Sequence, residues 1–147
     1  MAALSVDALP EGPEWSYELK LDGYRALIIK DGASIRLRSR NDKDLLSMYP
    51  ALATTARRLQ AERTVIDGEI VAVDKDGRPS FQALQHRGSH PQHSIVFYAF
   101  DLLHLDGQDM TSLPLKARKA KLGEVVKGSG LPLSILLPGS VADMIKT

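Results

Sequence analysis

A chain of 147 residues, 44% apolar and 25% charged, suits one domain of ordinary size that buries roughly 68–70% of its unfolded surface, and excludes a mini-protein or a two-domain enzyme. The near balance of 19 Lys+Arg against 18 Asp+Glu excludes a supercharged nucleic-acid arm, and the lack of cysteine excludes disulfides, thiolate nucleophiles and Cys-ligated zinc. The longest apolar stretch, Leu131 to Pro138, falls far short of the ~20 residues that cross a bilayer, so a cytoplasmic protein without a membrane partner is expected.

Residues 1–13, with Pro10, Gly12 and Pro13, read as a leader or linker. Three short segments follow, 15–21, 24–30 and 33–38, separated by Asp22-Gly23 and Asp31-Gly32, and their pattern predicts an antiparallel meander with tight turns. In the third, Ile35 and Leu37 alternate with Arg36, Arg38 and Arg40, which places three guanidiniums on the face away from the core. Between residues 15 and 60 the bases Lys20, Arg25, Lys30, Arg36, Arg38, Arg40, Lys43, Arg57 and Arg58 outnumber the acids Glu18, Asp22, Asp31, Asp42 and Asp44. That excess makes a candidate surface for phosphates, with a solvated charged face as the alternative.

Asp44 reads as an N-cap, and Leu45, Leu46, Met48, Leu52, Ala56 and Leu59 predict one helix over 44–61, interrupted at Pro50. A long strand is predicted over 63–73, then a turn at Lys75-Asp76-Gly77 and a short helix capped by Ser80 and running to about Arg87. The run Ser94–Leu102 suits a strand buried on both faces, and Leu115–Val126 a helix set between Pro114 and Gly128.

No glycine-rich phosphate loop and no serine-nucleophile elbow is present in the sequence. His86, His90 and His93 are interrupted by Gly88 and Pro91 and read as a polar loop rather than a metal site. The informative run is E-L-K-L-D-G-Y-R, residues 18–25. In an extended strand Glu18, Lys20 and Asp22 share a face, so a lysine ammonium lies between two carboxylates. Read blandly, this is a surface ion-pair row, usually worth under ~1 kcal/mol. Read functionally, Lys20 is a nucleophile, which requires a neutral amine, whereas the carboxylates favour the charged form. A divalent metal or a second cation that offset those carboxylates would make the second reading workable.

K-L-D-G-Y-R resembles motif I, K-x-D-G-x-R, of the covalent nucleotidyltransferases: ATP-dependent DNA ligases, RNA ligases and mRNA capping enzymes. Arg38-Ser39-Arg40-Asn41 resembles the ligase S-R-N segment, V-I-D-G-E-I-V at 65–71 resembles motif III, and F-Y-A-F-D-L-L-H-L-D-G at 97–107 resembles motif IIIa. With F-Q-A-L-Q-H-R at 81–87, the wording is most similar to bacterial ATP-dependent DNA ligases of the end-joining type. The resemblance implies an α+β fold of antiparallel β-sheets flanked by helices, a partial ATP-grasp-like nucleotidyltransferase domain with its nucleotide in a cleft between sheets. It implies that Lys20 attacks the α-phosphate of ATP, with Mg²⁺ or Mn²⁺ as cofactor. AMP held on the lysine then passes to a 5′-phosphate of nicked or broken double-stranded DNA, for sealing in repair or recombination. Glu18 matches the residue at the adenine edge, Arg25 and Arg40 match ribose or phosphate contacts, Phe100 the aromatic stacked on adenine, and Glu69 the acidic residue at the metal. Arg36 and Arg38 are candidates for DNA contacts.

Two later family motifs, an E-G-x-V-like strand and a K-x-K pair, have no match after Gly130. The expected organisation is therefore a leader or linker over 1–13, a partial adenylation domain over 14–130 and a non-matching tail over 131–147, the oligonucleotide-fold domain and missing motifs being supplied by the full-length protein. The rival readings are an impaired fragment that only binds ATP or DNA, and a relative of RNA ligases or guanylyltransferases.

Overall fold

The computed structural model describes residues 5–86 and 93–137. These fall in two compact units, one made of residues 5–20 and 135–137 and the other of residues 21–134.

In the first unit, β1 (Tyr17–Glu18) pairs antiparallel with β7 (Leu136–Leu137), Tyr17 opposite Leu137 and Glu18 opposite Leu136. The Leu19 amide extends the pairing by donating to the Ile135 carbonyl at 2.9 Å, and the Tyr17 hydroxyl donates to the Pro10 carbonyl at 2.6 Å.

The second unit is built on a five-stranded antiparallel sheet in the order β3-β2-β4-β5-β6, from β2 (Tyr24–Asp31), β3 (Ser34–Ser39), β4 (Arg63–Val73), β5 (Ser94–Leu105) and β6 (Gln108–Asp109). One face of the sheet carries Ala26, Ile28, Ile35, Leu37, Ile66 and Ile70, all buried. They form one apolar cluster with Leu52, Ala53 and Ala56 of α1 (Ala51–Arg57), Ala83 and Leu84 of α2 (Phe81–Gln85), and Leu122, Val125 and Val126 of α3 (Leu115–Val126). Residues directly opposite on neighbouring strands share a face. The pairs Arg25↔Glu69, Leu27↔Asp67, Leu27↔Arg38 and Ile29↔Arg36 therefore put the charged groups together on the other face.

The α+β architecture and the elements β4 and α3 coincide with the sequence expectation, and Ser80 caps α2 by accepting from the Ala83 amide at 3.2 Å. Arg87 and His90 lie outside the described residues. The expected strand over 15–21 is shortened to β1 and does not join the meander. Both edges of β2 are already taken, by β3 and β4, so the preceding segment has no edge to pair with. Glu18, Lys20 and Asp22 accordingly do not lie along one strand. Asp22-Gly23 is not a hairpin turn; its glycine serves a close approach instead, since a Cβ there would lie 2.1 Å from the Ile70 carbonyl oxygen. The expected helix over 44–61 is also shortened, to α1. Asp44 is held extended by a bridge to Arg38, and its Oδ1 accepts from the Leu46 amide at 3.0 Å in a turn of the Asx type. The helix begins only after Pro50. It ends at Arg57, where Lys30 Nζ donates to the Arg57 carbonyl at 3.2 Å and the Leu59 carbonyl at 2.9 Å. Among the described residues no helix is long and apolar enough to cross a membrane.

β5 does not run straight. Ala99 is opposite Gly68 and Asp101 opposite Asp67, leaving Phe100 as an extra residue, and a second irregularity leaves Leu103 unopposed between Leu102 and His104. Such bulges bend a strand and re-aim its side chains. Beside the first bulge, β4 approaches closely: a Cβ on Gly68 would lie 2.2 Å from the Phe97 ring and 2.5 Å from the Tyr98 carbonyl oxygen. Gly68→Ala should lower stability by at least the ~1–3 kcal/mol of an overpacked core, because backbone cannot yield as a side chain can. Gly123→Ala, in α3 with no atom within 4 Å of the added carbon, should raise it by roughly 0.5–1 kcal/mol. Urea denaturation midpoints of the two variants against the parent chain test both signs.

Candidate active site

Arg25, Glu69 and Phe100 come from β2, β4 and β5, and pairing of these strands brings them to one place on the charged face of the sheet. Arg25 reaches diagonally across β4 to Asp67, donating from Nε to Oδ1 at 3.1 Å and from Nη2 to Oδ2 at 2.6 Å. This two-pronged bond raises the Arg25 pKa above its ordinary value despite partial burial. The same guanidinium carbon lies 5.5 Å from the centre of the Phe100 ring, within the range of a cation–π contact. Arg25 is thus fixed by a carboxylate while its guanidinium lies over an aromatic ring.

Glu69, directly opposite Arg25, is half-buried, and loss of solvation pushes its carboxyl pKa upward. A hydrogen bond from the Gly23 amide and the Arg25 charge oppose that shift without cancelling it. The close approach of Gly23 to β4 is what lets its amide reach the carboxylate, so the D-G of the sequence run serves Glu69.

The two basic residues of β3 lie on the same face as Arg25, Arg36 exposed and Arg38 partly covered. Arg38 Nη1 donates to the Asp42 carbonyl at 3.3 Å, and its Nε lies 3.8 Å from the Asp42 carboxylate. Arg40 is exposed in the turn after β3. That turn is closed by Ser39 Oγ, which accepts from the Asn41 and Lys43 amides, with Asp42 at φ 57°. Glu18 and Lys20 belong to the first unit: Glu18 is half-buried in β1 and Lys20 is exposed just beyond it.

Two buried carboxylates escaped the sequence reading. Asp67 is the partner of Arg25. Asp101, across from it on β5, accepts from Arg118 Nε at 2.8 Å on Oδ1 and from Nη2 at 3.0 Å on Oδ2. The signal was legible: an aspartate inside an apolar strand must find a partner, and Arg118 shares a helical stripe with Leu122, Val125 and Val126. Among the described residues no group of three or more metal-ligating side chains exists, so no protein-built metal cage is present there. A lone carboxylate such as Glu69 fits Mg²⁺ that arrives on phosphate oxygens, since Mg²⁺ commonly binds through one or two carboxylates plus substrate phosphates.

The raised Glu69 pKa sets a pH signature. Its protonated form favours the folded state below the ordinary carboxyl pKa, and that contribution is lost as pH rises through the raised native value. Glu69→Gln, which can still accept from Gly23, should therefore be more thermostable than the parent at neutral pH, and the gain should fade as pH falls toward the unfolded carboxyl value. Melting temperatures of both proteins between pH 4 and 8 measure it, and a gain independent of pH would contradict the assignment.

The family model described as ATP dependent DNA ligase domain matches residues 3–138. The multifunctional non-homologous end joining DNA repair protein LigD of Mycobacterium tuberculosis is 39% identical, over 88% of this chain and 17% of that protein. DNA ligase C of the same species is 40% identical, over 98% of this chain and 42% of that protein. Among solved structures, the ligase domain of M. tuberculosis LigD matches with a TM-score of 0.76 and 38% identity, over 87% of this chain and 41% of that one. The mycobacterial DNA ligase D complexed with ATP and MES matches at 0.74 and 37%, over 87% and 42%. This chain spans less than half the length of each. With a fold, a motif order and a matched span in agreement, the chain belongs to the ATP-dependent DNA ligase domain family.

Proposed function

We propose that this chain carries the nucleotide-binding part of a DNA ligase adenylation domain, using ATP and Mg²⁺ in cytoplasmic DNA repair or recombination. Lys20 Nζ attacks the α-phosphorus of ATP: a P–N bond forms, the P–O bond to pyrophosphate breaks, and the amine loses its proton. The 5′-phosphate of a nicked or broken duplex then takes the AMP, and the neighbouring 3′-hydroxyl displaces it. Glu18 reads the adenine edge, Phe100 stacks on the base, Arg25 and Arg40 contact ribose or phosphate, and Glu69 holds the metal. When bound, the metal neutralises phosphate charge that would otherwise oppose attack. Arg36 and Arg38 face the DNA backbone. The adenylating part corresponds to residues 14–130, preceded by a leader or linker and followed by a tail over 131–147.

The observation that carries this reading is the arrangement of Arg25 between Asp67 and the Phe100 ring with Glu69 opposite. It provides an aromatic surface, a fixed cation and a desolvated carboxylate in one place, which suits a purine nucleotide and its metal. The relative solved with ATP, similar over most of this chain, supports the same assignment.

Incubation with Mg²⁺ and α-labelled ATP should leave an acid-labile, base-stable label on the protein. Lys20→Ala should abolish it; label persisting in that variant would refute the role of Lys20, and preferential labelling by GTP would favour a guanylyltransferase. DNA binding through exposed arginines should weaken steeply with salt. Arg36→Ala and Arg38→Ala should each lower the slope of log affinity against log salt by about 1, whatever the DNA sequence. Gel-shift titrations from low to moderate salt measure that slope.

A further inference from the structure

Residues 99–102, which form the bulge of β5, are tied down one by one. The Ala99 amide donates to the Pro132 carbonyl at 2.9 Å, and the Ala99 carbonyl accepts from the Ser134 amide at 2.8 Å. The Phe100 carbonyl accepts from Lys119 Nζ at 3.0 Å. The Asp101 carboxylate takes both prongs of Arg118 and also accepts from the Leu102 amide at 2.8 Å on Oδ1. Arg118 is itself oriented by donating from Nη1 to the Leu113 carbonyl at 2.6 Å, just ahead of α3. The backbone of a bulge is ordinarily the least constrained part of a strand, because the extra residue drops out of the ladder. Here consecutive residues of one helix, Arg118 and Lys119, replace the missing ladder contacts. The Phe100 side chain is left to meet the Arg25 guanidinium.

We propose that Arg118 and Lys119 are positioning residues for the nucleotide base, holding the Phe100–Asp101 bulge of β5 so that the Phe100 ring is presented beside Arg25. The inference rests on the reading of Phe100 as the base-stacking residue. It assigns to α3 a part in ligand recognition although neither side chain need touch the ligand. An aromatic platform has only a face to offer, and a tilt or slide of the ring loses stacking while leaving the phosphate-binding groups in place.

The test compares ATP with inorganic tripolyphosphate, each with Mg²⁺, by calorimetric titration of the full chain, with melting temperature measured on the same samples. Stacking on a base is worth ~1–3 kcal/mol, so Phe100→Ala should weaken ATP by roughly fivefold or more and leave tripolyphosphate within about twofold. Arg118→Lys, which keeps the charge but loses the fork, and Lys119→Met should do the same in protein that still folds. The double variant Asp101→Asn with Arg118→Met serves if Arg118→Lys unfolds, since it leaves no buried charge unpaired. If Phe100→Ala is selective for ATP while the α3 variants fold and bind ATP as the parent does, the inference is overturned and the stacking role stands. If Phe100→Ala shows no selectivity, both fall.

A second measurement needs no nucleotide. The Arg25 Nε–H resonance should carry a ring-current shift that Phe100→Leu removes. Arg118→Lys should reduce the same shift, and an unchanged resonance in a variant lacking the fork would overturn the inference.

Discussion

Two carboxylates face each other across the middle of the sheet, Asp67 on β4 and Asp101 on β5, and much of the molecule is arranged around giving each its own cation. Like charges directly opposite on paired strands oppose the pairing. Each aspartate is buried, which compounds the problem, and each is met by its own two-pronged arginine approaching from a different element, β2 for Asp67 and α3 for Asp101. Removing one member of the fully buried Asp101–Arg118 pair should cost about 3–5 kcal/mol, because a desolvated charge is left behind. The two pairs thus lock β2 to β4 and α3 to β5. The bulge at Phe100 falls between the two locks. Ring, guanidinium and carboxylates are parts of one electrostatic arrangement rather than separate contributions to a cleft.

Glu69 shows what a carboxylate on this face is like without such a fork. Its upward shift is the mark of a charge held partly out of water, against the interest of the folded state. A backbone amide from Gly23 and the field of Arg25 soften that penalty without removing it. Asp67, held by both prongs of Arg25, and Glu69, two residues along the same strand with a single backbone amide, thus differ in how far their charge is met.

The parts legible in the sequence were those set by local rules. The apolar run of β4 and the helical stripe of α3, bounded by Pro114 and a glycine, have one reading each. Motif spacing singled out Arg25, Glu69 and Phe100, and pairing of β2, β4 and β5 brings them together. What was not legible depended on which edges were already occupied. Asp22-Gly23 has the composition of a hairpin turn, and only the presence of β4 beside β2 reveals that the glycine is there for a close approach. Residues 45–49 have helical periodicity, but the bridge between Arg38 and Asp44 holds the segment against β3 until Pro50 has passed. For Arg118 the sequence shows a cation on the apolar stripe of α3, but that its partner is Asp101 follows only from the docking of α3 on β5.

The central strands also have a bearing on how the chain reaches this state. Arg25 and Asp67 are 42 residues apart, Thr64 and the His104 carbonyl it bonds are 40 apart, and the ladders between β2, β4 and β5 are all of this long-range kind. Closing such loops must precede any reward from the contacts, which slows folding relative to a helical domain of the same length. The Asp101–Arg118 pair closes a shorter loop, 17 residues, but it joins β5 to α3, the last helix of the chain's second unit. The bulge at Phe100 therefore takes its final geometry only once α3 has docked, because Arg118 and Lys119 supply the contacts that hold it.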